Sequence, residues 1–525
     1  MITLHSQGMA LRAGKLVPEA SPAGREKTMA WRIIQKHSIS GDPERPAVKF
    51  DAMASHDITY VGIIQTARAS GLREFPLPYV LTNCHNSLCA VGGTINEDDH
   101  LYGLSAAKKY GGEFVPAHQA VIHQYMRENY AATGRMILAS DSHTRYGPYG
   151  TLSVGEGGPE LAKQLLGRTW DIAYPAVTAV YLTGALRPGV GPMDVALALV
   201  GATYDSGFVK NKVLEFFGPG VAALSIDMRN GIDVMTTETT CISSVWATDE
   251  TVRAALEVLG RPGDWAQLDP LDGAWYDSAI EIDLSKIEPM IALPFHPSKA
   301  YTISDFRKNA ADILRAVEKD AVGQWGLKNA PDLVSKLENG RLRVEQGVIA
   351  GCAGGLAQNI RMAKRILEGS DIGAGEFALS VYPASQPMAL ALTGDGTLSG
   401  LMASGATIRT AFCGPCFGAG DVPACGGFSV RHTTRNFSSR EGSKPADGQT
   451  AYVALMDARS IAATALRGGL LTSAAELDAI PAEPQADGTF DARPYAARVY
   501  RGVGKPLPET ELRIDRKSTR LNSSY

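Results

Sequence analysis

The sequence predicts an α/β fold of mostly parallel sheets flanked by helices. Helix-period and strand-period apolar patterns alternate through most of the chain, which favours helices layered on parallel sheets. The 55 glycines supply the tight loops in which α/β proteins usually place their sites. At 525 residues the chain exceeds one compact core, so several domains are expected. Residues 303–317 read as one amphipathic helix with Phe306, Ala310, Ile313, Leu314 and Val317 on its apolar face and Ser304 as N-cap. Val252, Ala255, Leu256 and Leu259 repeat the pattern and stop at Gly260. Residues 176–182 and 377–382 read as buried strands. The stretch 481–508 holds five prolines with little periodicity and reads as a linker.

Composition narrows the function classes. Hydrophobic residues make up 45% and charged residues 20%, ordinary for a globular protein. The net charge of −4 gives no support to a nucleic-acid partner, so an anionic ligand needs a local basic cluster. No apolar run is long enough to span a membrane, and residues 1–12 carry no signal-peptide h-region. Cys84, Cys89, Cys241, Cys352, Cys413, Cys416 and Cys425 form an odd, scattered set, which reads as reduced cytoplasmic thiols open to metal use rather than as a disulfide framework.

Five motifs carry chemistry. Phe412-Cys413-Gly-Pro-Cys416-Phe417-Gly418 places two thiols in one turn, where they can face a metal, act as a thioredoxin-type dithiol, or pack as inert core. Cys352 follows the apolar run 348–350, so it is expected at the carboxyl end of a strand, where α/β ligands bind. Ser140-Asp141-Ser142-His143-Thr144 follows another apolar run, and Asp141 with His143 can serve acid–base chemistry or form a structural pair. The glycines after it lack the spacing and context of a dinucleotide loop. His123 lies on a predicted helix, and Glu238 stands in a polar run where it could equally be a helix cap. Arg435 and Arg440 in Arg435-Asn-Phe-Ser-Ser-Arg440 suit bidentate capture of carboxylates, or a solvated surface.

Taken together and in this order, the motifs resemble the aconitase and isopropylmalate isomerase family over residues 28–472. The resemblance implies an aconitase-like three-domain core with its cluster site in the central cleft: domains at 29–190, 191–320 and 321–475, an N-terminal extension 1–28 and a linker 476–514; the end 515–525, with no apolar pattern, reads as a non-native tail. It implies a [4Fe–4S] cluster on Cys352, Cys413 and Cys416, whose open iron serves as a Lewis acid. His85, His123, Asp141, His143 and Glu238 take the catalytic roles, while Asp141, Ser142, His143, Arg435 and Arg440 contact substrate. The reaction implied is reversible dehydration of a small hydroxy-di- or tricarboxylate.

The sequence departs from the family pattern at three places. Cys84 stands where an Asp precedes the first catalytic His, which would deprive His85 of its carboxylate partner. Ala353-Gly-Gly replaces a polar Thr-Asn-Ser, and Val234 replaces an Asn. The family's swivel domain, which supplies the α-proton base, has no counterpart after Thr472, so a further C-terminal domain or a separate small subunit is expected to bring it. Two other functions compete: a non-catalytic iron–sulfur sensor, and a dithiol oxidoreductase using Cys413 and Cys416.

Overall fold

The structure is a computed structural model that describes residues 2–85, 94–324, 327–328, 330–444, 448–484 and 488–513. Cys89 and the tail 515–525 lie outside the described residues. Three mostly parallel sheets, flanked by helices, organise the chain. The first has six strands in the order Tyr500–Arg501, Glu113–Val115, Tyr79–Thr82, Ala52–His56, Met136–Ala139, Leu152–Gly155, all parallel except the first. The second runs Ile2–His5, Ser278–Asp283, Val177–Thr183, Val213–Phe217, Ser243–Trp246, with only Ile2–His5 antiparallel. The third runs Ala300–Thr302, Met290–Ala292, Tyr452–Met456, Phe428–His432, Gln346–Ile349, Ala378–Val381, Thr407–Ile408, the last five parallel.

These sheets draw seams that differ from the boundaries read in sequence. The supposed extension 1–28 supplies an edge strand, Ile2–His5, and a hairpin, Met9–Arg12 with Lys15–Pro18, that packs beside Trp275–Tyr276. Val177–Thr183 already belongs to the second sheet, whereas Met290–Ala292 and Ala300–Thr302 join the third. Long-range pairing sets membership, and local periodicity does not register it.

The supposed linker is also packed structure. It forms the helix Arg493–Arg498 and the edge strand Tyr500–Arg501. Tyr495 is fully buried and its hydroxyl donates to Glu128, while Glu483 pairs with buried Arg459 at 2.6 Å. Burial works against ionisation of Glu128, which three donors only partly offset, leaving its carboxyl raised to about 7.

The helix expected over 303–317 is broken in two, Ile303–Lys308 and Ala310–Gly323, and Thr302 rather than Ser304 accepts the capping N–H, from Asp305 at 3.0 Å. Asn309 sits at the break with non-helical angles, consistent with its poor helix propensity. The helix Glu250–Val258 buries Val252 and Leu256 as expected, and Asp249 caps it. No described helix is long and apolar enough to cross a membrane.

Candidate active site

The site lies where strands of the first and third sheets end. From the first sheet, Ala52–His56 delivers His56 and Asp57, Tyr79–Thr82 delivers Cys84 and His85, and Met136–Ala139 delivers Asp141, Ser142 and His143. From the third, Gln346–Ile349 leads into the turn Gly351–Gly354 carrying Cys352, and Phe428–His432 leads to Arg435 and Arg440. Parallel strands present their carboxyl ends together, so residues distant in sequence share one cleft. That cleft encloses about 900 Å³ and is lined by His56, His85, His123, Asp141, Ser142, His143, Cys352, Cys413, Cys416, Arg435 and Arg440. Glu238 stands just behind the wall, in the short turn Thr236–Thr239, 4% exposed.

Asp141 is the hub of the polar network. One of its oxygens lies 3.0 Å from His123 Nε2 and accepts the His143 backbone N–H at 2.8 Å; the other lies 3.3 Å from His85 Nε2 and 3.8 Å from His56 Nε2. Burial disfavours its charge, but the imidazoles overcome that and hold its carboxyl well below the usual range. His85 therefore has a carboxylate neighbour after all: Asp141 provides it across the sheet, where Cys84 cannot. Burial pushes His123 below its ordinary value despite Asp141, and its other nitrogen meets the Tyr146 hydroxyl at 3.2 Å.

A second chain of contacts runs along the wall. His143 Nε2 lies 2.7 Å from Glu238 Oε1, and Arg435 Nε donates to the same oxygen at 3.0 Å. Burial alone would raise the Glu238 carboxyl, yet His143 and Arg435 hold it low and ionised. Arg435 also donates to Ser142 Oγ at 2.9 Å. Arg440 is exposed along the cleft, its acidity increased by partial burial and by the like charge of Arg435.

Three thiols face the other side. Cys413 and Cys416 bracket a one-turn helix in which the Cys416 N–H donates to the Cys413 carbonyl at 2.9 Å. Cys352 reaches the same space. At the neighbouring Gly351, whose φ is +73°, a Cβ would come within 3.2 Å of Cys416 Sγ. Glycine answers both demands, the left-handed backbone and the clear space. Burial pushes up the Cys352 and Cys416 thiols, and the neighbouring Cys84 together with burial pushes up Cys413. Raised thiols of this kind lose their protons when a metal binds them. The donor set, three soft thiols beside a glycine-cleared space, fits a [4Fe–4S] cluster.

Several residues at the site escaped the sequence reading. Arg127, fully buried, donates to the Cys352 carbonyl at 2.9 Å and so fixes the thiol-bearing turn. Arg431, 1% exposed, donates to the Pro415 carbonyl at 2.7 Å and braces the Cys-Gly-Pro-Cys turn. His56 packs against His85 with ring centroids 4.0 Å apart and planes tilted by 32°, and burial drives its pKa down to about 3. The only available signal was a polar residue ending each apolar strand, which His56 and Asp57 do show.

Thiols, imidazoles, a carboxylate and arginines gathered at the carboxyl ends of parallel strands define a class: α/β proteins with a thiol-bearing polar cleft between sheets. The chain belongs to the aconitase family, whose pattern, described as aconitate hydratase, matches residues 31–468. It is 28% identical to the mitochondrial aconitate hydratase of Saccharomyces cerevisiae over 418 residues, 75% of this chain and 50% of that protein. It is 29% identical to the aconitase–ribosomal protein bL21m fusion protein of Schizosaccharomyces pombe, covering 80% of this chain and 46% of that one. It is also 28% identical to 3-isopropylmalate dehydratase large subunit 2 of Archaeoglobus fulgidus, covering 71% of this chain and 80% of that subunit. The chain thus spans about half the length of the aconitate hydratases it matches.

Proposed function

We propose that this chain carries the cluster-binding and substrate-binding part of a hydro-lyase that reversibly dehydrates a small hydroxy-di- or tricarboxylate. One observation carries the reading: Cys352, Cys413 and Cys416 share a cleft with the His123–Asp141 pair and the His143–Glu238–Arg435 chain. Cys352, Cys413 and Cys416 would hold a [4Fe–4S] cluster, which supplies Lewis-acid chemistry when bound.

The remaining roles belong to side chains. Arg435 and Arg440 bind substrate carboxylates through their planar forks, and Ser142 adds a hydroxyl at the same wall. His123, hydrogen-bonded to Asp141, delivers the proton to the departing hydroxyl, which leaves as water. Asp141 stays ionised and orients His123 and His85. Glu238, fixed as an anion between His143 and Arg435, holds both in place.

The base that removes the α-carbon proton we assign to a swivel domain, either a separate small subunit or a further part of a longer chain. The abundance of free thiols suits a reducing compartment such as the cytoplasm. The test is anaerobic reconstitution with iron and sulfide, followed by turnover assays over a panel of hydroxy-di- and tricarboxylates, with and without a swivel domain from a relative. Failure to build an iron–sulfur chromophore would overturn the reading.

A further inference from the structure

Cys84 is the residue that the dehydration chemistry leaves without a role, and its surroundings are specific. It is fully buried at the end of the strand Tyr79–Thr82, and its Sγ lies 3.9 Å from Cys413 Sγ and 3.3 Å from His85 Nδ1. A backbone hydrogen bond, Cys413 N–H to the Cys84 carbonyl at 2.9 Å, ties the two cysteines together. The three donor atoms all lie within 4.8 Å of one another.

The Cys84–Cys413 and Cys84–His85 spacings are those of ligands sharing one ion. Two thiolates about 2.3 Å from a tetrahedral metal sit about 3.8 Å apart, and a thiolate and an imidazole nitrogen sit slightly closer. Thiolates on different irons of a cluster are held farther apart than that. The other nitrogen of His85 faces Asp141 Oδ2 at 3.3 Å, the carboxylate–histidine arrangement that fixes tautomer and ring orientation in metal sites. His56 packs tilted against the His85 ring at 4.0 Å and Phe417 stacks on it at 5.2 Å, so the ring has little freedom to turn away.

We propose that Cys84, His85 and Cys413 form a second metal site: a mononuclear Cys2His donor set for one thiophilic divalent cation such as Zn²⁺ or Fe²⁺. Three protein ligands leave a fourth tetrahedral position open. Binding releases the thiol protons to solvent. Cys413 is common to this site and to the proposed cluster cradle, so cation and cluster exclude each other there. The inference stands on the three donors alone and does not need the cluster reading to be right.

Co²⁺ added anaerobically to the cluster-free full chain provides the test. One ion per chain is expected, with tetrahedral absorption and sulfur-to-cobalt charge transfer, displaced by Zn²⁺. Cys84→Ser should weaken binding by at least about tenfold, and Asp141→Asn by about 10–100-fold, whereas Cys352→Ser and Cys416→Ser should leave it unchanged. X-ray absorption of the zinc-loaded wild type, which needs no variant to fold, should count two sulfurs and at least one imidazole. Three sulfurs without imidazole, dependence on Cys352, or no cobalt uptake would each overturn the proposal. None of these results bears on whether iron and sulfide build a cluster, which is scored separately by reconstitution.

Discussion

Arg435 shows how much one side chain can be asked to do. Its guanidinium donates to Glu238 and to Ser142 in two directions, a geometry that a lysine ammonium cannot reproduce. Arg435→Lys is therefore expected to cost on the order of 1–3 kcal/mol in substrate binding, raising KM roughly 5–150-fold. The reconstituted cluster spectrum should not change, because the arginine touches no thiol; an unaltered KM would remove Arg435 from the substrate site. His432 makes a second case, one of stability. It is fully buried, its Nδ1 accepts the Ala458 N–H at 3.0 Å, and burial lowers its pKa to about 4. A histidine held neutral in the fold but free to protonate when unfolded contributes stability above its unfolded pKa of about 6.5, lost as pH falls toward 4. Between pH 7 and pH 5 that loss is about 2 kcal/mol. Urea midpoints of the wild type should fall more over this interval than those of His432→Asn; parallel declines would show that the site does not titrate as described.

At the scale of elements, the turns after parallel strands do the positioning. Gly351 opens the Cys352 turn with φ +73° and faces Cys416 Sγ. In Gly351→Ala, strain of about 1–2 kcal/mol adds to a methyl pressing on a thiol of the cradle. The fold should persist, since the strand Gln346–Ile349 pairs on both sides. Iron and acid-labile sulfide retained after reconstitution should fall sharply; wild-type iron content would mean that the turn has room to spare. The C-terminal segment makes a contrasting point. Its prolines read as a linker, yet Tyr495 docks on Glu128 and residues 500–501 extend the first sheet. A short edge strand carries too few residues to show a period.

At the scale of the whole molecule, the cleft gathers the thiol cradle, the Asp141 hub and the arginines, and none of these groups is assigned to the α-carbon proton. We expect the chain with its cluster reconstituted to turn over slowly alone. Mixing it with, or fusing it to, a swivel domain should raise the rate by about 10²–10⁴-fold, the usual worth of a positioned base. Excluding water from the cleft would strengthen each charged contact further. Equal rates in the two samples would place the base inside these 525 residues.

What the sequence determined by itself was which short motifs and local periods the chain carries. The cysteine pair at 413 and 416, Asp141-Ser-His143, and the arginines at 435 and 440 were legible because each motif sits within one turn or loop. The alternation of patterns was enough for parallel α/β layers, because a strand period and a helix period are local properties. The tertiary structure alone decided what crosses the chain. Asp141 partners His85, which the substitution at Cys84 had made look bereft. Arg127 holds the Cys352 carbonyl, and Ile2–His5 closes an edge of a sheet whose neighbouring strand begins at residue 278. Cys84, read in sequence as a missing acid, meets Cys413 and His85 at metal-ligand spacing. Such partnerships depend on strand order and on the convergence of carboxyl ends, which no local window of residues encodes.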